Sequence, residues 1–208
     1  MILASASPRR SDLLGRLGFE LEIRPADIDE SRGDDEHPQD LVRRLAYEKA
    51  HCVFGQYGVG ADGFLLAADT IVWHNDRALG KPVDADEAMS MLRELSGRVH
   101  HVSTGVSILY QQPGQSLRDE TFVETTDVRF YDLSDSQIAS YVQGGECVGK
   151  AGAYAIQGSG RLLVEGISGD YDNVVGLPVS RVVRVMVALA ADDEGASLIE
   201  RLLEEKHA

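Results

Sequence analysis

The N-terminal segment carries side chains suited to binding an anion. Residues 5–10 read SASPRR, and Ser7 followed by Pro8 is typical of the N-cap and first position of a helix. A helix N-terminus offers unpaired backbone N–H groups, and the guanidinium groups of Arg9 and Arg10 would add bidentate donors, so a phosphate could bind here. The alternative interpretation is a basic first helical turn exposed to water.

A single carboxylate follows an apolar run in the middle of the N-terminal half. Asp69 ends a predicted buried strand over residues 64–69 and is followed by Thr70. A carboxylate at a strand end can ligate Mg²⁺ or accept a proton from water, and the Thr70 hydroxyl could orient a substrate beside it. Ile71 stands where an aspartyl-phosphate enzyme would need a second acid, which disfavours that covalent route. Asp69 as a turn or capping residue is the alternative.

Four further polar residues could line the same cleft. Lys49 falls on the apolar stripe of a predicted helix and Lys81 follows a turn in the segment LGKP, although a lysine whose stem packs on apolar surface would explain either one. Glu30 lies in an acidic loop. Gln157 precedes Gly-Ser-Gly and could read the edge of a base by hydrogen bonds, or could face water as a turn residue. His100 and its neighbour lack a third ligand at metal spacing, so we expect ordinary strand residues there.

The hydrophobic pattern predicts the elements that position these residues. Strands are predicted over residues 2–4, 19–23, 64–69, 99–110 and 120–131. Helices are predicted over residues 8–17, 40–54, 84–95, 134–143, 178–190 and 196–206. Strands and helices alternate early, and a long antiparallel pair sits in the middle, so we expect a mixed α/β fold with an elongated sheet. The glycine-rich segment between residues 144 and 178 is typical of chain that wraps a site.

Composition excludes several classes of partner. The 208 residues include 20 Lys and Arg against 34 Asp and Glu, a formal net charge of −14, so the average surface repels nucleic acids and anionic membranes. We expect neither partner, and an anionic substrate would require the few cations to be gathered in one place. Cys52 and Cys147 have no disulfide or zinc spacing, and no signal peptide or membrane span is evident, so we expect a cytoplasmic protein.

Six segments in this order resemble the Maf family of nucleotide pyrophosphatases. They are SASPRR, AYEKA, AADT, LGKP, GKAGAYAIQG and NVVGLP, and the resemblance extends from residue 2 to about residue 187. It implies one domain over residues 1–208 with two lobes around a deep cleft. The implied fold is an elongated mixed sheet flanked by helices, similar to that of inosine triphosphate pyrophosphatases.

The resemblance also implies an activity. Maf-like proteins are cytoplasmic hydrolases that cleave a nucleoside triphosphate to the monophosphate and pyrophosphate with a divalent metal, Mg²⁺ or Mn²⁺. Carried over by position, the family's general base falls on Asp69, and its substrate-selecting positions fall on Arg9, Thr70 and Gln157. The other polar positions of the family's cleft fall on Ser7, Arg10, Glu30, Lys49 and Lys81. A homodimer is a further expectation at the level of the family.

Three short segments indicate the branch of the family. Pro-Arg-Arg, Ala-Asp-Thr and Ile-Gln-Gly are similar to the branch acting on dTTP and UTP, whereas the branch acting on 7-methyl-GTP has a tryptophan near the first arginine, Ser-Asp-Gln and Ser-Glu-Gly. A glutamine amide can donate to and accept from uracil or thymine, while a glutamate suits the donors of guanine. The alternatives are a pyrophosphatase for 7-methyl-GTP or modified nucleotides and a nucleotide-binding regulator of septum formation.

The resemblance leads to an expected mechanism. Asp69, with Glu30, would hold the metal, while Lys49, Lys81 and the arginines bind phosphate oxygens and Asp69 activates the water that attacks the α-phosphorus. Asp69 could instead ligate the metal and only orient the water. Two departures from the family, Cys147 where many relatives have proline and an enlarged loop over residues 56–63, concern loop geometry and not the charged set.

Overall fold

In the part of the chain that the structure describes, seven strands form one mixed sheet. The computed structural model describes residues 1–33, 35–190, 199, 200 and 202. The strands are β1 (Ile2–Leu3), β2 (Glu22–Ile23), β3 (Phe64–His74), β4 (Arg77–Leu79), β5 (Val99–Tyr110), β6 (Arg118–Phe130) and β7 (Val164–Ser168). Their order is β2-β1-β3-β5-β6-β7, with β4 paired to β3 beside this path. Only the pairs that include β1 are parallel, so the predicted mixed α/β sheet is confirmed.

Three long antiparallel strands give the sheet its elongated shape. β3, β5 and β6 contain 11, 12 and 13 residues, which at roughly 3.3 Å per residue corresponds to about 40 Å of strand. The predicted hairpin is confirmed, with β6 starting two residues earlier than expected. Its strands are rich in Val, Thr, Phe and Tyr, which fit a pleated and largely buried surface.

Helices cover both faces of the sheet. They are α1 (Pro8–Gly15), α2 (Pro38–Tyr57), α3 (Ala85–Leu95), α4 (Asp135–Gln143), α5 (Tyr171–Val175) and α6 (Val179–Ala190), with short 3-10 helices at Ala151–Ala153 and Ser159–Leu162. The predicted caps are confirmed, since Asp84 accepts from the backbone of Glu87 and Ser134 forms a capping box with Gln137. Among the described residues, no helix has both the length and the apolar character needed to cross a bilayer.

Alternation along β3 divides the hydrophobic core between the two faces. Leu65 and Ala67 pack beneath α2, whereas Leu66 and Ala68 point to the opposite face and pack with α6. Farther along the strand, Val72 joins a third cluster with α3 and α4. Polar residues at the centre of β3 therefore lie between apolar clusters that fix the strand on both sides.

A glycine lets α2 lie close to the centre of the sheet. Gly105 in β5 is the register partner of Asp69 in β3, and a Cβ at this position would overlap the carbonyl oxygen of Val42 in α2. Lys49 follows Val42 by two helical turns and therefore lies on the same face of α2. The absence of a side chain at Gly105 thus brings the lysine within reach of the carboxylate.

The structure corrects the predicted end of β3. The strand continues to His74, so Asp69 lies in the middle of a strand and not at its tip. Its exposure comes instead from a gap at the sheet edge, because β1 pairs with β3 only as far as Leu66 and β4 only from Val72 onward. Between these pairings, β3 has no strand neighbour on that side among the described residues.

Other boundaries also differ from expectation. α2 starts two residues earlier, because His37 forms the cap and Pro38 takes the first position, and it runs on to Tyr57 through part of the predicted loop. The predicted strand over residues 19–23 is reduced to its last two residues. The predicted terminal helix over residues 196–206 lies largely outside the described residues.

Candidate active site

The gap beside β3 opens into a cleft of about 800 Å³, a volume within the range of small-molecule sites. Its lining draws on α1, α2 and β3, on the N-terminal loop before α1, and on chain segments around residues 25–30, 79–81, 149–157 and 174–176. All nine residues singled out in the sequence line this one cleft: Ser7, Arg9, Arg10, Glu30, Lys49, Asp69, Thr70, Lys81 and Gln157. The structure therefore brings together side chains that are up to 150 positions apart in the sequence.

A lysine bridges the two carboxylates of the cleft. Lys49 Nζ lies 2.6 Å from Asp69 Oδ1 and 2.7 Å from Glu30 Oε1. The side chains of Lys49 and Asp69 are 10% and 18% exposed, whereas that of Glu30 is 59% exposed. Because the Lys49–Asp69 pair is mostly shielded from water, removing either partner would leave a poorly solvated charge. Glu30 contacts Lys49 from the side that faces the solvent.

Thr70 lies next to Asp69 but points to the other face of the strand. Its Oγ1 accepts a hydrogen bond from Arg10 Nη2 at 2.9 Å and lies 3.0 Å from the hydroxyl of Thr104. It also donates to the carbonyl oxygen of Gly176 at 3.3 Å. The hydroxyl is therefore committed to protein partners, and Thr70 anchors the neighbouring arginine.

Arg10 is held by the protein through all three of its guanidinium nitrogens. Besides Thr70, it donates from Nη1 to Ser5 Oγ at 3.0 Å and from Nε to the carbonyl oxygen of Gly176 at 2.9 Å. Burial lowers the pKa of Arg10 to about 10, although the nearby charge of Asp69 opposes this shift. The group remains cationic at neutral pH, and it stabilises the cleft wall from inside.

The buried hydroxyl of Ser5 was not singled out in the sequence. The sequence pattern indicates Ser7 instead, which is the N-cap of α1 but makes no side-chain capping bond. A serine two positions before the cap gives no separate sequence signal, because its partner Arg10 becomes a neighbour only when α1 forms.

Arg9 is half-buried and makes a looser connection to the same wall. Its Nε donates to the carbonyl oxygen of Val175 at 3.2 Å. The segment that supplies this carbonyl is fixed to the sheet by the buried Asn173, whose amide donates to Val102 O and Thr126 Oγ1, both at 3.0 Å. The NVVGLP segment thus supplies backbone acceptors that align both arginines.

A third lysine, which the sequence analysis did not select, also lines the cleft. Lys150 is half-buried, and its pKa is lowered first by burial and then by the neighbouring charge of Arg9. The backbone of Gly152 donates to the carbonyl oxygen of Gly80 at 3.0 Å, which ties the loop of Lys150 to the loop of the exposed Lys81. The signal was available, since Gly-Lys in GKAG repeats the Gly-Lys of LGKP.

Gln157 is half-buried in the cleft wall on the segment after Tyr154. Tyr154 also lines the cleft, and its hydroxyl lies 2.9 Å from Nε2 of the buried His100 on β5. Burial lowers the pKa of His100 to about 3 and raises that of Tyr154, so both groups are neutral at neutral pH. The prediction that His100 is a strand residue is confirmed.

The electrostatics of the cleft oppose those of the whole chain. Among the described residues, the lining carries two carboxylates, Glu30 and Asp69, and five cationic side chains: Arg9, Arg10, Lys49, Lys81 and Lys150. An excess of three positive charges is therefore concentrated in one concave site of a protein whose formal net charge is −14. Such a site attracts a polyanion of small size, and the rest of the surface repels large ones.

The donor set is compatible with a divalent cation. Asp69 and Glu30 meet at one point, because both contact the same ammonium group, and carboxylate oxygens are ligands that Mg²⁺ prefers. No group of three or more His, Cys, Asp or Glu side chains suited to a metal occurs among the described residues. Mg²⁺ is commonly held by one or two carboxylates together with substrate phosphates and water, so the residues fit that mode of binding.

Comparisons with known proteins found a family and several relatives. A family model described as Maf, Maf-like protein, matches residues 1–189. A protein of Halalkalibacterium halodurans named dTTP/UTP pyrophosphatase is 48% identical over 186 residues, covering 89% of this chain and 94% of its own. A protein of the same name from a Geobacillus species is 48% identical over 184 residues, covering 88% and 95%.

A solved structure shares the fold. The HAM1 protein from Coxiella burnetii has a TM-score of 0.50 and 14% identity, covering 90% of this chain and 98% of that one. At this level of identity the likeness concerns architecture alone. The expected architecture, an elongated mixed sheet flanked by helices, is confirmed.

Proposed function

Since this chain belongs to the Maf family, we propose that it is a nucleoside triphosphate pyrophosphatase that acts on dTTP and UTP. The family match and the relatives' names support an enzyme that hydrolyses nucleoside triphosphates. The pyrimidine preference, the metal and the roles of individual residues are the further parts of the proposal.

The observation that carries the proposal is the reversal of charge in the cleft. Five cations face two carboxylates in a cavity of about 800 Å³, and the chain as a whole is strongly acidic. A triphosphate tail has the charge and the size to use this arrangement. A nucleic acid would meet the same cations but would also be repelled by the acidic surface around them.

We assign the phosphate groups to the cationic lining. Lys81 and Lys150 have flexible stems and are exposed or half-buried, so they can follow the outer phosphates as point charges. Arg9 offers a planar guanidinium suited to a phosphate oxygen pair. Ser7, whose hydroxyl makes no capping bond, lies beside the free N–H groups of the α1 N-terminus.

The base preference is assigned to Gln157 and Thr70, with Arg9 contributing here as well as to phosphate binding. The amide of Gln157 can donate to and accept from the edge of uracil or thymine. Thr70 acts through Arg10, since its hydroxyl is already bonded to the guanidinium. Arg9 is the third position, because it lies beside the fixed Arg10 and lines the same cleft.

Asp69 and Glu30 would hold a divalent cation, which when bound would neutralise charge on the phosphate oxygens. Asp69, fixed in the middle of β3, orients a water molecule for in-line attack on the α-phosphorus. The bond from the α-phosphorus to the bridging oxygen breaks, pyrophosphate leaves, and the water proton passes to Asp69 or to solvent. Lys49 holds the carboxylate in place, so the work is mainly positioning and charge stabilisation.

The test is to incubate the purified chain with dTTP, UTP, CTP, GTP and 7-methyl-GTP and to measure pyrophosphate, with Mg²⁺, with Mn²⁺ and with a chelator. We expect pyrophosphate and monophosphate from dTTP and UTP, and loss of release when the metal is removed. Inorganic phosphate as the only product would contradict the reaction. Tight nucleotide binding without any product would favour the regulator instead, and a preference for 7-methyl-GTP would move the chain to the other branch.

A further inference from the structure

The segment that carries Gln157 is held by a carboxylate outside the cleft lining. Glu146 Oε1 accepts hydrogen bonds from Ser159 N at 2.9 Å and from Ser159 Oγ at 2.6 Å, and Oε2 accepts from Gly160 N at 3.3 Å. Glu146 is thereby tied to the chain two and three residues beyond Gln157. The hydrogen bonds from Ser159 also hold the pKa of Glu146 below its usual range, so the group is an acceptor at neutral pH.

The same carboxylate packs directly against the residue after Gln157. A Cβ on Gly158 would overlap the Glu146 carboxylate, so a side chain at position 158 and the present position of Glu146 exclude each other. From the other side, Arg161 donates from Nε to Gly158 O at 2.9 Å and from Nη2 to Gln157 O. The backbone of Gln157 and Gly158 is thus fixed by two side chains of opposite charge.

Tyr141 supports the start of the segment. Its hydroxyl accepts from the backbone of Ala155 at 3.1 Å, and burial raises the pKa of Tyr141 to about 12, so it remains a neutral phenol. The loop therefore has a fixed start at Ala155 and a fixed end at Gly160. The side chain of Gln157 projects from a backbone whose position is set before a substrate arrives.

We propose that Glu146 is a positioning residue for base selection, which holds the Gln157 amide where it reads the edge of the pyrimidine. This inference rests on the proposed function, in which Gln157 selects the base. Preorganisation matters because a flexible glutamine loses conformational entropy when it is ordered by a ligand. Without the Glu146 carboxylate, substrate binding must bear that entropy cost. The N–H donor and the carbonyl acceptor of the Gln157 amide are then no longer held in one orientation.

The experiment compares Glu146→Ala with the wild-type enzyme on UTP and GTP. We expect KM for UTP to rise about tenfold while kcat changes less than about threefold, and the preference for UTP over GTP in kcat/KM to fall about tenfold. Glu146→Gln keeps one acceptor oxygen, so its KM and its base preference should lie between those of the wild-type enzyme and those of Glu146→Ala. Glu165→Ala, which removes an exposed carboxylate from β7 outside the cleft lining, is the matched control and should leave KM and preference unchanged.

Further variants separate positioning from general loss of structure. If Glu146 acts through Gln157, then Glu146→Ala in a Gln157→Ala background should change the base preference less than about twofold, because coupled residues are not additive. Gly158→Ala should reproduce the phenotype of Glu146→Ala by displacing the carboxylate, and should add little once Glu146 is alanine. Ser159→Ala loses one hydrogen bond and gives a milder variant should Glu146→Ala fail to fold.

The outcomes divide cleanly between the two proposals. An active, folded Glu146→Ala with unchanged preference overturns this inference and leaves the proposed function standing. The inference is also overturned if Glu146→Ala changes the base preference as much in the Gln157→Ala background as it does in the wild-type enzyme. Absence of pyrophosphate release from the wild-type enzyme overturns the proposed function, and this inference with it.

Discussion

The lining of the cleft has two parts with different supports. The sheet part comprises Arg10, Lys49, Asp69 and Thr70, which project from α1, α2 and β3 and contact one another or the core of the sheet. The loop part comprises Lys81, Lys150 and Gln157, which are exposed or half-buried and are fixed through the backbone of their loops. Side chains on regular elements are held more narrowly than side chains on loops.

This difference suggests a division of labour. The groups assigned to the reacting phosphorus belong to the sheet part, where a small displacement would be costly. Lys81 and Lys150, which are assigned to the outer phosphates, and Gln157, which is assigned to the base, belong to the loop part, where some adaptability is tolerated. Changes in the sheet part should therefore lower kcat or stability, and changes in the loop part should mainly raise KM.

The largest effect is expected at Asp69. Asp69→Asn should lower kcat for UTP at least ~100-fold, the lower end for removing acid–base help, with a much smaller change in KM. Steady-state pyrophosphate release measures both constants. Asp119→Asn, an exposed residue of β6 outside the cleft lining, is the control, and an Asp69→Asn enzyme within threefold of wild type would remove Asp69 from the chemistry.

The two adjacent arginines should differ in their contribution to stability. Arg10→Ala leaves three protein acceptors without their charged donor and should lower the free energy of unfolding by about 2–4 kcal/mol. Arg9→Ala breaks one contact at 3.2 Å and should cost about 1 kcal/mol or less. Urea unfolding of both variants decides the matter, and equal losses would contradict the distinction between a structural and a ligand-facing arginine.

The lysines of the loop part should show the opposite kinetic signature. Lys150→Ala and Lys81→Ala should each raise KM for UTP about tenfold and lower kcat less than about threefold, because each removes a charge that binds substrate and transition state alike. Arg129→Ala on the exposed part of β6 removes a comparable charge outside the cleft. A kcat loss as large as that of Asp69→Asn would place these lysines in the chemical step and erase the division between the two parts.

A pH-dependent effect on stability is expected from the support that β5 gives to the cleft wall. The folded pKa of His100 is about 3 against an ordinary value of 6.5. The unfolded chain therefore binds a proton that the folded chain does not between these values, and stability falls as pH falls through this window, by at most about 1.4 kcal/mol per pH unit. Urea unfolding at pH 7, 6 and 5 should show a shallower dependence for His100→Gln, and parallel slopes would show that His100 does not contribute.

Much of the fold could be predicted from local patterns. The hairpin of β5 and β6 follows from two runs of strand-forming residues with a polar turn between them, and the starts of α3 and α4 follow from Asp84 and from Ser134 with Gln137. The predicted end of β3 is wrong. Asp69 and Thr70 look like a strand terminus, but Ile71 and Val72 continue the strand. A gap in the neighbouring strands, which no local pattern records, exposes Asp69.

The site was predictable as a set of residues but not as a set of contacts. The order of the motifs identifies the set of charged side chains, and these side chains line one cleft. The sequence could not indicate that Arg10 is fully engaged by acceptors as far as 166 residues away, or that Lys49 bridges Glu30 and Asp69. Such contacts depend on tertiary packing, as does the role of Gly105 in bringing α2 onto the sheet.

The central claim is that this cleft directs water to the α-phosphorus of a pyrimidine nucleoside triphosphate. Hydrolysis of UTP in ¹⁸O-labelled water, followed by mass spectrometry of both products, tests it most directly. The account predicts that the label appears in UMP and is absent from pyrophosphate. Label in the pyrophosphate, or in released inorganic phosphate, would contradict it.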